Sequence, residues 1–493
     1  MKNKVQNPNM DNYNNIQDLA KVYIDKRPLA LLFLLEYKNA ILLIFAFLLF
    51  FIFISPVNLP QGLGVEAYQT MIIFIFAVFL WVTNIIPLAI TSLMIMALLS
   101  TFNVLEASKI FSFFGNESLF FILGSFIISA GVSASGLSER ISYHIISRFK
   151  ETPEKLVLAI FFLSAFMSHI MTEHAVAAML FPILISMSNK LRLGFDSVLG
   201  KHIFFAMAWG CSIGGVVTLL GGARNPLAIG ILQESTGNSI GFLEWIIVVA
   251  PPAYILMAAV AFYIKRSLQN STANLNFMEK SLSLQDQRVG KVSFKEIKAL
   301  LIFLLTIYMW IFHSKEFGVA NIALISAALF FVLNVMKWDD AKKEINWGTI
   351  LMYGGAIAIG KCLAETGVLD FITGKYISDI TFSLLNFVLI VSILSLLLTQ
   401  VISNSAVVII LLPIILKVAS QFGLSPELAV FLVAIPSGLD FMFPIGSPPN
   451  AIAFASGYIK LSEFIKKGIL LNILTIVIFA LSALFYWPLL GIN

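Results

Sequence analysis

The sequence predicts an all-α, polytopic membrane protein with about eleven transmembrane helices and two re-entrant helical hairpins in an inverted repeat. Three observations point there. Of 493 residues, 59% are hydrophobic and only 12% charged, and mean hydropathy is +0.92; soluble domains carry about 25% charged residues. Apolar runs recur from residue 39 to residue 490, which excludes one large soluble core. Finally, two pairs of apolar arms, Leu156 to Met167 with Val176 to Met187 and Leu384 to Thr399 with Val407 to Leu416, are joined by short polar breaks. The breaks are Met171-Thr172-Glu173-His174-Ala175 and Val401-Ile402-Ser403-Asn404-Ser405-Ala406. Each arm is shorter than the roughly 20 helical residues needed to cross a hydrocarbon core of about 30 Å. Lipid cannot satisfy the bare backbone of such a tip, so it must lie in protein or line a wet cavity. Broken helices that converge at the midplane are how transporters hold ions and small anions.

In chain order, residues 1–28 read as a polar tail. Ala40 to Ile54 begins the first span, after an apolar lead-in at Leu29 to Leu35, and further spans cover 66–84, 86–103 and 119–135. Over Ser138 to Lys150, Ile141, His144, Ile145 and Ile146 alternate with Glu139, Arg140, Arg148 and Lys150 at helical spacing, the pattern of an amphipathic helix lying in the interface. The first hairpin, 155–188, follows. A span at 201–220 is broken at Gly221-Gly222-Ala223-Arg224-Asn225, and a span at 241–264 contains Pro251-Pro252. The polar linker 265–297 separates a first transmembrane half (29–264) from a second (298–493). Lys265 to Lys298 carries seven Lys/Arg against three Asp/Glu. This bias places the linker, the N-terminal tail and the Lys337 to Lys343 loop in the cytoplasm, as expected for a multi-pass protein of the cell (inner) membrane. The second half reads as spans at 298–313, 318–335 and 348–365, the hairpin 382–416, a span at 428–445 broken at Gly446-Ser447-Pro448-Pro449-Asn450, and a last span at 467–490. The net charge of +5 is small for this length and bears on orientation, not on nucleic-acid binding.

The halves repeat. A shift of 231 residues puts Gly124 on Gly355, Gly136 on Gly367, Thr172-Glu173-His174-Ala175 on Ser403-Asn404-Ser405-Ala406, and Pro182 on Pro413; a shift of 225 puts Gly221 and Asn225 on Gly446 and Asn450. Six landmarks in order argue for an internal structural repeat, with one hairpin entering from each face.

Chemistry concentrates at the tips and loops. Ser403, Asn404 and Ser405 offer hydroxyls, an amide and the ends of two helices. Helix N-termini favour an anion, whereas carbonyls and hydroxyls at opposed C-terminal ends favour Na⁺. Gly446-Ser447-Pro448-Pro449-Asn450 is a stiffened break whose carbonyls could complete a cation shell. A polar kink packed against a neighbour is the plainer reading of either stretch, but the repeated copy favours a binding site. Cys211 and Cys362 sit in apolar segments and suggest neither disulfides nor a metal site. No nucleotide loop, metal-ligand cluster or nucleophile–base set is visible, so an enzyme is not expected.

Ser403-Asn404-Ser405-Ala406 followed by Pro413 resembles the Ser-Asn-Thr hairpin motif of the divalent-anion/sodium symporter family. Gly446-Ser447-Pro448-Pro449-Asn450-Ala451-Ile452 followed by Ser456-Gly457 resembles its Gly-Thr-Pro-Pro-Asn loop, and Trp209-Gly210-Cys211-Ser212-Ile213-Gly214-Gly215 through Thr218 resembles the segment before its first such loop. The similarity runs from about 40 to 490. It implies a homodimer whose protomers each have a scaffold domain and a transport domain moving as an elevator, with one anion between the hairpin tips and Na⁺ beside each. The usual cargo is a dicarboxylate or sulfate. Carried onto this chain, Thr172, His174, Arg224, Ser403, Asn404 and Ser405 would hold the anion, and Glu173, Gly221, Asn225, Asn404, Gly446 and Asn450 would hold the coupling cation.

The first half departs from the pattern, with Thr172-Glu173-His174 and Gly221-Gly222-Ala223-Arg224-Asn225 in place of the two motifs; Asp440 also sits in an apolar span. An ionisable group at membrane depth costs on the order of 2.5–3.5 kcal/mol unless paired. Glu173 and Arg224 would form a structural ion pair if tip and loop face each other; alternatively Glu173 or His174 takes up a proton in place of one Na⁺, or Arg224 and His174 contact the anion. Two other functions stay open: a proton-coupled symporter, exchanger or cation/proton antiporter, and a non-transporting membrane receptor on the same fold.

Overall fold

The computed structural model describes residues 29–56, 59–149, 152–269, 290–376 and 383–493. Among the described residues all regular structure is helical. The polar tail (1–28) and most of the linker fall outside them. Two units are distinguished, residues 1–52 and residues 53–493. The first is described by α1 (Leu29–Ile54), whose last two residues fall past its boundary; α1 runs unbroken through the expected lead-in, since nothing in Glu36-Tyr37-Lys38-Asn39 stops a helix. Its Ile44, Leu48, Phe51 and Ile52 are exposed, as on a lipid-facing helix.

The second unit begins with α2 (Val65–Thr83), α3 (Leu88–Thr101), α4 (Ala107–Ser112), α5 (Glu117–Ser135) and α6 (Leu137–Arg148). It continues through α7 (Pro153–Met167), α8 (Glu173–Lys190), α9 (Val198–Val217), α10 (Arg224–Thr236) and α11 (Phe242–Leu268). The second half holds α12 (Phe294–Phe317), α13 (Val319–Val332), α14 (Trp338–Glu344), α15 (Trp347–Glu365), α16 (Val368–Tyr376), α17 (Leu384–Thr399), α18 (Asn404–Gln421), α19 (Pro426–Ala434), α20 (Pro448–Ala455) and α21 (Leu461–Leu481). Among the described residues eight helices are long and apolar enough to cross a membrane, and four apolar helices are shorter.

Local chemistry sets the boundaries. Thr152 caps α7 by accepting from Lys155 N at 3.3 Å, and its counterpart Ser383 caps α17 by accepting from Asn386 N at 3.2 Å. Ser293 and Glu296 form a capping box, with Ser293 N donating to Glu296 Oε2 at 2.6 Å; α12 therefore starts at 294, before the expected 298. Similarly α11 continues to Leu268, so both ends of the expected linker are helical. The expected span at 428–445 is corrected: α19 ends at Ala434, a 3-10 turn covers Pro436–Gly438, and the chain is irregular up to Ser447. Pro436 and Pro444 each remove a backbone donor there, and Gly438 weakens a helix.

The repeat is structural. The shift of 231 carries α3 onto α13 and α8 onto α18 residue for residue, and left-handed Asn103 (φ 52°) and Gly136 (φ 85°) onto Asn334 (φ 54°) and Gly367 (φ 83°). The halves also pack reciprocally, α3 on α15 and α13 on α5. At those crossings a Cβ on Gly124 would lie 2.7 Å from Ala323 Cβ, and one on Gly355 would lie 2.5 Å from Ser92 Cβ. Residues 92 and 323, like 124 and 355, differ by 231. Such i-to-j, j-to-i contacts are the mark of a two-fold relation.

Candidate functional site

The two polar breaks lie between α7 and α8 and between α17 and α18, where each chain leaves one helix end and starts the next within a few residues. The two glycine-bearing loops precede α10 and α20. Glu173, His174, Arg224, Gly221, Ser403, Asn404, Ser405, Gly446 and Pro448 all line one cavity of about 690 Å³, within the usual range for small-molecule pockets. Asn84, Ile85 and Pro87 to Ala89, with Asn346, Gly348, Thr349 and Met352, complete its wall. Six helices therefore have their N-terminal turns at this wall: α3, α8, α10, α15, α18 and α20.

Of the expected residues, Thr172, Asn225 and Asn450 do not line the cavity; they organise it. The Thr172 hydroxyl lies 3.4 Å from His174 Nε2. Asn225 Nδ2 donates to the carbonyls ten and seven residues earlier, Gly215 O (3.0 Å) and Thr218 O (2.8 Å). Asn450 repeats this with Asp440 O (2.6 Å) and, more weakly, Phe443 O (3.4 Å). The two asparagines pin equivalent loops in equivalent ways, which explains why they recur in the sequence.

Glu173 and Arg224 meet as the sequence suggested. Arg224 Nη1 donates to Glu173 Oε1 at 2.7 Å and Nη2 to Oε2 at 3.2 Å, and both side chains are buried. The planar fork suits a carboxylate in low dielectric. Gly221 O accepts the Glu173 N–H at 2.8 Å. The Glu173 and Gly221 oxygens, expected to face a cation, are thus engaged by protein donors.

In the second half Ser403 caps α18 by accepting from Ala406 N at 3.3 Å. The Asn404 amide is satisfied at both ends when Nδ2 donates to Gly446 O (3.0 Å), Ser437 O (3.2 Å) and Thr399 Oγ1 (2.8 Å) and Oδ1 accepts from Arg224 Nη1 (3.3 Å). Glu173, Arg224, Asn404 and Gly446 form one chain of contacts across both halves. Ser405 Oγ lies 3.3 Å from the hydroxyl of buried Tyr353. His169 does not join this site: Nδ1 faces Gly214 O at 3.2 Å and Nε2 lies 3.3 Å from the Tyr254 hydroxyl. Tyr353, Thr399, Asn84 and Asn346 join the site without having been expected from the sequence. Tyr353, beside Gly354-Gly355 in an apolar run, carried a signal that could have been read; the asparagines look like ordinary helix ends.

Two solved transporter structures share this fold. The Alcanivorax borkumensis YdaH transporter is similar with a TM-score of 0.53 at 14% identity, over 77% of this chain and 87% of that one. Neisseria gonorrhoeae MtrF, described as illuminating a class of antimetabolite efflux pumps, is similar with a TM-score of 0.54 at 14% identity, over 86% of this chain and 96% of that one. Among curated relatives, the sodium-dependent dicarboxylate transporter SdcS of Staphylococcus saprophyticus is 27% identical over 466 residues, 88% of this chain and 89% of the relative. Its Staphylococcus aureus namesake is 27% identical over 476 residues, 91% of this chain and 90% of the relative. The family described as the sodium:sulfate symporter transmembrane region matches residues 37–493, and with the motifs and the paired half-sites in place the chain belongs to that family of multi-pass membrane transporters.

Proposed function

We propose that this chain is a secondary active transporter that moves a small divalent anion, sulfate or a dicarboxylate, in symport with Na⁺. The observation that carries this reading is the convergence of six helix N-termini on one cavity lined by both tips. Each N-terminus presents roughly half a positive charge, although α20 opens on Pro448-Pro449, which carry no N–H, and the first N–H of α8 is taken by Gly221 O; several such ends aimed at one space favour an anion over any neutral solute. Ser403, Asn404, Ser405 and His174 supply side-chain partners, and Arg224 reaches the same wall while held by Glu173. Sodium is assigned as the coupling ion because relatives across nearly the full chain are named sodium-dependent; Asn404 and Gly446 line the cavity, and Asn450 pins the Gly446 loop through Asp440 O and Phe443 O.

In this reading the helix–break–helix pairs are re-entrant hairpins. The arms α7 and α17 have 15 and 16 residues, short of a crossing, whereas α8 and α18 each run to 18 residues, and α18, extending past the expected Leu416 to Gln421, is among the eight helices long enough to span. The two-fold relation lies in the membrane plane, giving the inverted repeat, and family membership supports an elevator movement of the pocket-bearing elements within a homodimer. The N-terminus lies in the cytoplasm.

Uptake of labelled succinate and labelled sulfate into proteoliposomes tests the proposal, each under an inward Na⁺ gradient, an inward proton gradient, or neither. Na⁺-driven uptake of one anion is expected. Proton-driven uptake without Na⁺ would replace the coupling ion, and no uptake of either anion would overturn the cargo class.

A further inference from the structure

The two halves each bury one carboxylate behind the pocket, but from different places in the chain. In the first half it comes from the tip: Glu173 Oε2 lies against Gly215, where a Cβ would collide with it. In the second half the counterpart of Gly215, at a shift of 225, is Asp440, so there the carboxylate comes from the loop and the tip supplies the amide of Asn404. The surroundings correspond. A Cβ on Gly221 would strike Ser168 O and lie 2.7 Å from Gly215 Cα; one on Gly446 would lie 2.6 Å from Thr399 O and 2.5 Å from Asp440 Oδ2. Ser168 and Thr399 are themselves equivalent, at a shift of 231.

The two carboxylates differ in their counter-charge. Glu173 has the Arg224 guanidinium on both oxygens. The residue equivalent to Arg224 is Pro449, and among the described residues no ion pair reaches Asp440. Asp440 is wholly buried; Oδ2 accepts from Asn450 Nδ2 at 3.2 Å, while Oδ1 has no hydrogen-bond partner among the described residues. Ser447 Oγ and Asn450 Oδ1 are buried beside it, the serine hydroxyl close enough to interact with the Asp440 carboxyl, and among the described residues Asn450 Oδ1 has no hydrogen-bond partner. Thr399 O is the last carbonyl of α17, a helix end that favours positive charge. Asn225 Oδ1 is likewise unpartnered, so the asparagines do not distinguish the halves; the carboxylates do. With Glu173 and Asp440 ionised and Arg224 charged, the cluster carries one excess negative charge in the protein interior, and a bare buried carboxylate is strongly disfavoured. Hard oxygen donors around that charge suit an alkali cation.

We propose that Asp440 is the charged ligand of the pocket's exchangeable sodium site, and that Arg224 permanently supplies in the first half the positive charge that a bound Na⁺ supplies in the second. The coupling ion therefore binds in one half only. This rests on the sodium-symport reading, and it adds a residue and a stoichiometry to it.

Sodium binding to the purified full-length protein tests it without transport, by titration calorimetry and by melting temperature in NaCl against choline chloride. Wild type should bind Na⁺ and melt higher in NaCl. Asp440→Asn, nearly isosteric, should bind Na⁺ about tenfold more weakly or worse, the loss of one full charge ligand, and lose the rise in NaCl. In choline it should melt no lower than wild type, because the variant relieves an unbalanced charge; a structural role alone would lower melting in both salts. Ser447→Ala guards against a fold defect and should weaken Na⁺ binding by a smaller factor. Unchanged Na⁺ affinity in Asp440→Asn overturns the assignment while leaving sodium symport standing. A wild type that binds no Na⁺ overturns both.

Discussion

Residues 215–225 and 440–450 are two copies of one loop put to different uses. Both end in an asparagine that ties down carbonyls ten and seven residues back. Both set a glycine against the C-terminal end of the helix that precedes a polar break. In the first, Arg224 pairs with Glu173 of the facing tip, while the second keeps a buried carboxylate, Asp440, that no ion pair reaches among the described residues. The backbone frame of a half-site thus survives separately from its charges. A guanidinium fixed to the chain and an ion from solution can play equivalent electrostatic roles on it.

The largest test of that difference is Arg224→Ala. It leaves Glu173 charged, buried and unpaired, so stability should fall by about 3–5 kcal/mol, as for a broken buried ion pair. Glu173→Gln in the same background should recover much of the loss, and a double-mutant cycle read by melting in detergent measures it. If the single variant melts like wild type, the pair does not hold the first tip.

Next come the crossings that define the two-fold. Gly124→Ala and Gly355→Ala each drive a methyl into the facing helix and should each cost roughly 1–3 kcal/mol of thermal stability, the range for overpacking. A large effect in one and none in the other would show that the halves are less alike than their helices. Asn225→Ala and Asn450→Ala form a similar pair, with about 1–3 kcal/mol expected for each from the carbonyls left unpaired.

The caps give a smaller contrast. Ser403 caps its helix, whereas Thr172 makes no side-chain cap bond. Ser403→Ala should cost about 1 kcal/mol of stability and also weaken anion uptake, whereas Thr172→Ala should change melting less. The smallest effect belongs to the exposed Asp196–Lys460 pair, 2.8 Å apart. Lys460 donates to the Asp196 carboxyl and holds it below its usual range, yet such surface pairs are screened. Asp196→Asn should leave melting and uptake unchanged.

Much of this was legible in the sequence because membrane helices have a simple grammar. Polar or proline-bearing breaks in apolar runs mark tips and loops, and a repeat in those marks gives the symmetry. Gly124 and Gly355 were visible as landmarks, although only packing shows that each admits the other half's helix. The stretch after Ala434 misled because Leu439, Phe441, Met442 and Phe443 are as apolar as a helix, while Pro436, Gly438 and Pro444 decide the backbone. Glu173 and Arg224 could be paired by inference. That Asp440 occupies the counterpart of Gly215, and so mirrors Glu173 from another position in the chain, required the structure, since no residue-by-residue shift aligns the two carboxylates. The walls at Asn84 and Asn346 were equally hidden, because a single asparagine at a helix end has a local use.

The most direct measurement is the number of sodium ions bound per chain at saturation, from radiolabelled Na⁺ binding to the purified protein with and without anion. One ion per chain, lost in Asp440→Asn, is the expected result. Two ions per chain would contradict the account, because the first half would then hold an exchangeable ion beside Arg224.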